Sequence, residues 1–149
     1  MSETRAPMAL KIPAPIFAKL HIDSTLDSSH WLPHVDATHR CANPHGHTFS
    51  VRIFVDGVVD DQERSRTKGM VVDYDRILEY WMPLHEILDH CFLNNVKGLE
   101  NPTCENIAVW ILERMPDWIS AVEIGTGLVG GMRAGCRIDR KALATAGVR

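Results

Sequence analysis

The sequence predicts an α+β domain in which two helices cover one face of a four-stranded antiparallel sheet. Residues 16–22 and 48–59 alternate apolar and polar side chains with the period of a strand. Residues 74–88 and 104–115 instead repeat apolar side chains every three or four positions, as a helix does. A glycine-rich turn within residues 121–138 separates two further strand-like segments. The predicted order is therefore strand, strand, helix, helix, strand, strand.

The first two strands differ in how clearly they alternate. The first alternates only in part, with Leu20 and Ile22 on one face and His21 on the other. The second is regular, and its apolar face consists of Phe49, Val51, Ile53 and Val55. The uniformly polar residues 60–69 then predict an exposed, mobile loop.

The first helix is expected over residues 74–88. Its apolar stripe consists of Ile77, Trp81, Leu84 and Leu88, at spacings of four, three and four. A proline inside a helix removes one hydrogen bond and clashes with the preceding turn. We therefore expect Pro83 to kink or divide this helix.

The second helix should begin near Asn101, Pro102 and Thr103. Either Asn101 or Thr103 can cap free backbone N–H groups, and Pro102 suits the first turn. Pro116 should end the helix. Its predicted buried face consists of Ile107, Ala108, Ile111, Leu112 and Met115.

The last two strands are predicted over residues 121–126 and 130–138. They complete a single domain over residues 16–149, preceded by a flexible N-terminal arm over residues 1–15. A sheet of four strands leaves two edge strands exposed, which favours oligomerisation.

Composition excludes several functional classes. The chain has 149 residues, 45% hydrophobic residues and a formal net charge of −3, which describes one globular domain with its own core. The sequence lacks the cluster of Lys and Arg residues that is typical of nucleic-acid binding. The N-terminal arm has no apolar run typical of a signal peptide or membrane span. The four cysteines are scattered without a CxxC pair, so we expect reduced thiols and a cytoplasmic location.

The histidine count, eight, is the unusual feature. His45 and His47 precede the regular strand, and residues two apart in a strand point the same way. Together with His30 they would give the three-ligand arrangement of catalytic zinc, with a fourth position open. An HxH pair is a weak signal alone, because packed and surface histidines are common.

Two further features suggest proton transfer. Cys41 lies four residues before His45, so a nearby zinc ion or cation could make it a thiolate base; the alternative is a small buried apolar residue. Asp89 precedes His90, and a carboxylate that orients an imidazole is a common acid–base device. Adjacent residues need not touch, so this pair can equally be ordinary loop chemistry.

In combination these segments resemble the 6-pyruvoyl-tetrahydropterin synthase family. The matching motifs, in order, are SSHWLP (28–33), CANPHGHT (41–48), GMVVDY (69–74), LDHCFLN (88–94) and ENPTCENIAVWI (100–111). Three residues separate Cys41 from His45, which is more similar to the bacterial branch, the 6-carboxy-tetrahydropterin synthases of the queuosine pathway.

The resemblance implies a tunnelling fold, in which the sheets of several subunits join edge to edge into a trimeric barrel, commonly stacked as a hexamer. It also implies roles for six residues: zinc ligands His30, His45 and His47, proton-abstracting thiolate Cys41, and proton-transfer pair Asp89 and His90. The implied reaction converts 7,8-dihydroneopterin triphosphate to 6-carboxy-5,6,7,8-tetrahydropterin. The alternatives are the pyruvoyl synthase reaction, or a divergent member with another substrate or no catalysis.

One departure concerns pterin binding. The family anchors the pterin with a glutamate near the C-terminus, but here that position falls on Thr126 or just before it. Glu123 should point to the opposite face, because side chains alternate along a strand. Glu105, beside Thr103, is a second candidate, although a carboxylate there can simply favour the helix N-terminus. Thr103, Glu105 and Thr126 are therefore the predicted substrate-binding residues.

Overall fold

The computed structural model describes residues 15–129 and 132–145. Its elements are β1 (Phe17–His30), β2 (His45–Val58), α1 (Tyr74–Leu88), α2 (Cys104–Arg114), β3 (Ala121–Val129), β4 (Met132–Asp139) and α3 (Arg140–Thr145). Short 3-10 turns occupy Arg40–Ala42 and Leu93–Asn95. The strands lie in the order β1-β2-β3-β4, and neighbours are antiparallel. This confirms the predicted sheet, while all of the predicted arm except Pro15, and residues 130–131 of the last predicted strand, lie outside the described residues.

The hydrophobic core lies between one face of the sheet and the two long helices. The four apolar residues predicted on β2 are all buried, and so are the predicted stripes of both helices. Val122 and Ile124 of β3 face the same core. Burying these side chains supplies the main driving force for this architecture.

The first two strands are longer than predicted. β1 continues to His30 and β2 begins at His45, so these two residues are directly opposite each other in the sheet. The sequence pattern missed this extension because the polar residues of β1 find partners on the outer face, away from the helices. Asp23 binds Arg52 there, and Asp27 binds Thr48.

Pro83 does not divide α1, which is continuous from Tyr74 to Leu88. The missing N–H removes one backbone hydrogen bond. Burial of Trp81 and Leu84 on either side of the proline outweighs that loss and keeps both halves in one helix.

The start of α2 is defined by Thr103. Its hydroxyl accepts a hydrogen bond from the Asn106 N–H, so Thr103 rather than Asn101 is the N-cap. Pro102 consequently lies before the cap, and the prediction that it occupies the first turn was wrong. The helix ends at Arg114, two residues before Pro116.

The polar segment 60–69 is largely exposed, as predicted, and Asp60 organises it. The Asp60 carboxylate accepts hydrogen bonds from the side chains of Ser65 and Thr67 and from the Gln62 N–H. The segment is therefore a turn built around one carboxylate.

The sequence pattern did not predict the helix α3. Its first residue, Arg140, connects it to the C-terminal end of α2. The Arg140 guanidinium donates hydrogen bonds to the carbonyls of Leu112, Met115, Pro116 and Ile119, at 2.7–3.0 Å. These are carbonyls at and beyond a helix end, which lack partners within the helix.

We expect Arg140→Ala to lower the free energy of unfolding by about 1.5–3 kcal/mol, the usual worth of hydrogen bonds to a charged group. Lys141→Ala, at the exposed neighbouring position, should have little effect. Denaturant titration measures both variants. Equal midpoints for Arg140→Ala and the native protein would contradict this account.

Candidate metal centre

Three histidines converge where β1 ends and β2 begins. His30 and His45 are paired across the two strands, and His47 follows two residues later on the same face. Their ring centroids lie 4.6–5.2 Å apart. One nitrogen of each ring lies within 4.8 Å of the other two. The three histidines that the sequence predicted as metal ligands are therefore close together in the structure.

Backbone carbonyls fix the orientation of two rings. His30 Nδ1 lies 2.7 Å from the Pro102 carbonyl, and His45 Nδ1 lies 2.8 Å from the Asn43 carbonyl. A carbonyl can only accept a hydrogen bond, so each Nδ1 carries the proton and Nε2 keeps a free lone pair. The Nε2 atom of His45 is buried and has no hydrogen-bond partner among the residues that the structure describes.

Burial favours the uncharged form of His30 and of His47. It lowers the pKa of His30 to about 4, although the bond to Pro102 opposes the shift. Burial also lowers the pKa of His47, and the neighbouring His45 adds to this effect. Phe49 forms an apolar floor, with its ring 5.4 Å from that of His30 and 5.2 Å from that of His47.

The donor set fits a metal ion. Neutral imidazoles with Nδ1 hydrogen-bonded to carbonyls are the usual form of metal-binding histidines. A buried lone pair without a partner, as on His45, is costly unless something binds it. Three such ligands match the requirement of a catalytic zinc site, which keeps a fourth position for water or substrate.

Asp89 and His90 are in direct contact. Asp89 Oδ2 lies 2.7 Å from His90 Nδ1, and Asp89 Oδ1 accepts a hydrogen bond from the Asp27 N–H at 2.8 Å. That backbone bond and the bond to His90 lower the pKa of Asp89. The hydrogen bond and charge of Asp89 in turn raise the pKa of His90. The carboxylate therefore orients the imidazole and favours its protonated form.

One histidine of the metal cluster, His47, and one residue of the acid–base pair, His90, line the same cavity of about 510 Å³. Its other lining residues include Asp27, Gly46, Cys91 and Phe92. The His90 side chain is 79% exposed, so protons can reach it readily.

Cys41 lies in the short 3-10 turn Arg40–Ala42, within the segment that connects β1 to β2. Its carbonyl accepts a hydrogen bond from the Leu32 N–H, two residues beyond His30. Burial raises the pKa of each of the other three thiols, Cys91, Cys104 and Cys136. These three are therefore poor candidates for a thiolate base.

Two of the three predicted substrate-binding residues lie next to residues that contact the cluster. Thr103 follows Pro102, whose carbonyl holds His30. Thr126 is opposite Phe49 in the sheet, and its backbone lies beside the Cys104 thiol. Glu105 is exposed in the first turn of α2.

Glu123 lies away from this group. It pairs with Arg52 on the outer face, opposite to the face that buries Val122 and Ile124, as its position in the strand predicted. The pairing of β3 with β4 shifts between Thr126 and Leu128, so one extra residue, Gly127, lies in β3.

Sequence reasoning missed several parts of the site. The carbonyls of Asn43 and Pro102 have no side-chain signature, although both residues lie within the quoted motifs. Phe49 was predicted only as a core residue, and Asp27, which lies beyond the predicted end of the first strand, was not predicted to belong to the site. Knowing that β1 pairs with β2 beyond residue 22 would have shown that Phe49 and Asp27 both lie beside the site.

Comparison with known proteins identifies the family. A family model described as 6-pyruvoyl tetrahydropterin synthase matches residues 19–126. The chain belongs to the 6-pyruvoyl tetrahydropterin synthase family. This confirms the resemblance carried by the motifs. The match includes all three histidines, Cys41 and the Asp89–His90 pair.

The chain is also similar to two proteins that are named for other pterin reactions. The 6-carboxy-5,6,7,8-tetrahydropterin synthase of Synechocystis is 34% identical over 99 residues, 66% of this chain and 74% of the relative. The dihydroneopterin monophosphate aldolase of Pyrococcus furiosus is 39% identical over 71 residues, 48% of this chain and 54% of the relative.

Solved 6-pyruvoyl tetrahydropterin synthases share the fold. The Caenorhabditis elegans structure superposes with a TM-score of 0.69 at 20% identity, over 84% of this chain and 96% of that one. The Plasmodium falciparum structure gives 0.54 at 20% identity, over 83% and 98%. Within the described ranges, no helix has the length and apolar character needed to span a bilayer.

We expect Asp89→Asn to lower the pKa of His90 toward the ordinary histidine value of about 6.5. The substitution removes the negative charge that favours the protonated ring. An NMR titration of the His90 ring signal measures the change, with Asp61→Asn in the exposed loop as a control. A His90 pKa that is the same in Asp89→Asn and the native protein would refute the electrostatic role of Asp89.

Proposed function

We propose that the protein is a zinc-dependent lyase that converts 7,8-dihydroneopterin triphosphate to 6-carboxy-5,6,7,8-tetrahydropterin. The observation that supports this most is the cavity lined both by His47, a member of the three-histidine cluster, and by His90 of the Asp89–His90 pair. Membership of a tetrahydropterin synthase family gives the reaction class. The 34% identity to the Synechocystis 6-carboxy-tetrahydropterin synthase favours this substrate and product.

His30, His45 and His47 would hold the ion. Zinc bound there would polarise the side-chain oxygens of the substrate, which acidifies the adjacent C–H and stabilises the enolate. Pro102 and Asn43 keep two of the rings in the tautomer that leaves Nε2 free. The apolar floor at Phe49 excludes water from the inner side of the cluster.

Cys41 and His90 divide the proton transfers. In this proposal the Cys41 thiolate takes the proton from the substrate side chain. His90 returns a proton from Nε2, since its Nδ1 is bound to Asp89. Loss of triphosphate, followed by addition of one water molecule and cleavage of the carbon–carbon bond, releases acetaldehyde and leaves the carboxy product.

Thr103, Glu105 and Thr126 are proposed to contact the heterocycle. The bond from His30 to the Pro102 carbonyl places the start of α2 beside the cluster. Thr126 lies opposite Phe49, whose ring also contacts the cluster. A threonine where the family has a glutamate removes a charged hydrogen bond. That loss typically costs about 1.5–3 kcal/mol, so a standard pterin should bind roughly tenfold or more weakly.

We expect the zinc-loaded protein to release acetaldehyde and the carboxy product from 7,8-dihydroneopterin triphosphate. Cys41→Ala should lower kcat by a factor of about 10²–10⁴, the usual worth of a general base. Cys136→Ala, which removes a half-buried thiol, is the matched control. Chromatography of the products measures turnover.

The products also separate the alternatives. Triphosphate release without acetaldehyde would indicate the pyruvoyl reaction. No turnover, with native zinc content, would indicate a divergent member that binds metal without this catalysis. Either result would overturn the proposed reaction.

We further propose that subunits join edge to edge into a homotrimeric or homohexameric barrel. Part of the β1 edge is already covered: His85 donates to the Thr25 carbonyl, and residues 89–91 bond the backbone of Asp27 and Ser29. The β1 backbone before Thr25 and the outer edge of β4 have no such cover among the described residues. The two free edges run antiparallel, as joining in a continuous antiparallel ring requires.

Native mass spectrometry at micromolar concentration should therefore give masses of three or six subunits. A protein that is only monomeric or dimeric at every concentration tested would contradict this assembly.

A further inference from the structure

Asp27 occupies the point where β1 meets the acid–base pair. Its N–H donates to Asp89 Oδ1 at 2.8 Å, and its carbonyl accepts from the His90 N–H at 2.8 Å. Its carboxylate accepts from the Thr48 hydroxyl at 2.5 Å. One residue of β1 thus contacts both members of the pair and the strand that carries two of the metal-cluster histidines.

The two backbone bonds arrange the pair. Because the Asp27 N–H occupies one oxygen of Asp89, the other oxygen is free for His90 Nδ1. The backbone of His90 has a φ of +53°, a conformation that residues other than glycine seldom adopt. Such a conformation persists where surrounding contacts fix it. The Asp27 carbonyl supplies one such contact.

The side chain of Asp27 adds a link to β2. Asp27 and Thr48 are directly opposite in the sheet, and Thr48 follows His47 in the chain. The hydrogen bond between them therefore fixes the Asp27 position relative to the strand that carries the metal cluster. This link joins the strand that carries His47 to the residue whose backbone contacts His90.

We propose that Asp27 is a positioning residue, whose bonds to Asp89, His90 and Thr48 aim the His90 ring into the cavity that it shares with His47. Its catalytic consequence rests on the proposed function. The placement of the His90 ring does not, and can be measured without substrate.

Asp23 provides a matched control on the same strand. It lies four residues earlier on the same outer face, and its carboxylate likewise binds a β2 side chain, Arg52, at 2.6 and 3.0 Å. None of its hydrogen bonds reaches residues 89–91. Asp23→Ala therefore removes a cross-strand link of the same kind at a distance from the acid–base pair.

The first arm of the experiment compares steady-state rates of the zinc-loaded variants. Asp27→Ala and Thr48→Val each remove the link. Both should lower kcat about tenfold, which is a part of the usual acid–base contribution to the rate, and should leave KM within about twofold of the native value. The double variant should be no worse than either single one, because both remove the same interaction. Asp27→Asn keeps an acceptor oxygen for Thr48 and should restore kcat to within about threefold of the native value.

The second arm uses the metal-free protein and records the NMR signal of the His90 ring. Asp27→Ala and Thr48→Val should both shift this signal, while Asp23→Ala should leave it unchanged. This arm decides the placement of His90 even if the protein turns over none of the tested substrate. Thr48→Val tests the same link should Asp27→Ala fail to fold.

Three results would overturn the proposal. The first is a His90 signal that neither Asp27→Ala nor Thr48→Val moves. The second is an equal loss of kcat in Asp23→Ala. The third is a loss of kcat that is matched by a loss of bound zinc, which would make Asp27 a residue of general stability.

Discussion

The hydrogen bond between the His30 ring and the Pro102 carbonyl joins the sheet to the start of α2. It fixes the tautomer of His30, so that the free nitrogen points toward His45 and His47. It also sets the position of Thr103, the first residue of the proposed substrate contacts. Without this bond a buried imidazole and a buried carbonyl would both lack partners, which is costly in a core. The same interaction therefore positions one histidine of the metal cluster and Thr103, one of the proposed substrate contacts.

The metal cluster continues the hydrophobic pattern of β2. The alternation that buries Phe49 and Val51 also directs His45 and His47 to the core side, at its rim. Burial there lowers the pKa of His47, and the neutral ring is the form that binds metal. His90 is instead exposed and paired with a carboxylate, which favours a charged ring. The two kinds of histidine thus receive opposite electrostatic environments on either side of one cavity.

Periodicity predicted the elements that bury one clear face, because that pattern depends only on neighbours in the chain. It predicted the stripes of both helices and the regular half of β2. It failed for β1 beyond residue 22, since Asp23 and Asp27 are stabilised by partners on β2 that no local pattern reveals. The metal ligands were predictable from spacing, but the Pro102 carbonyl was not, because any residue supplies a carbonyl. Contact between Asp89 and His90 depends on the Asp27 backbone and likewise required the structure.

The central claim is that three imidazoles, and no thiolate, bind one zinc ion. X-ray absorption at the zinc edge of the metal-loaded protein tests this most directly, because nitrogen and sulfur ligands differ in distance and scattering. The account predicts three imidazole nitrogens at about 2.0–2.1 Å, with the remaining ligands oxygen. A sulfur ligand at about 2.3 Å would make a cysteine part of the metal site and contradict the claim. Fewer than three imidazoles would contradict it equally.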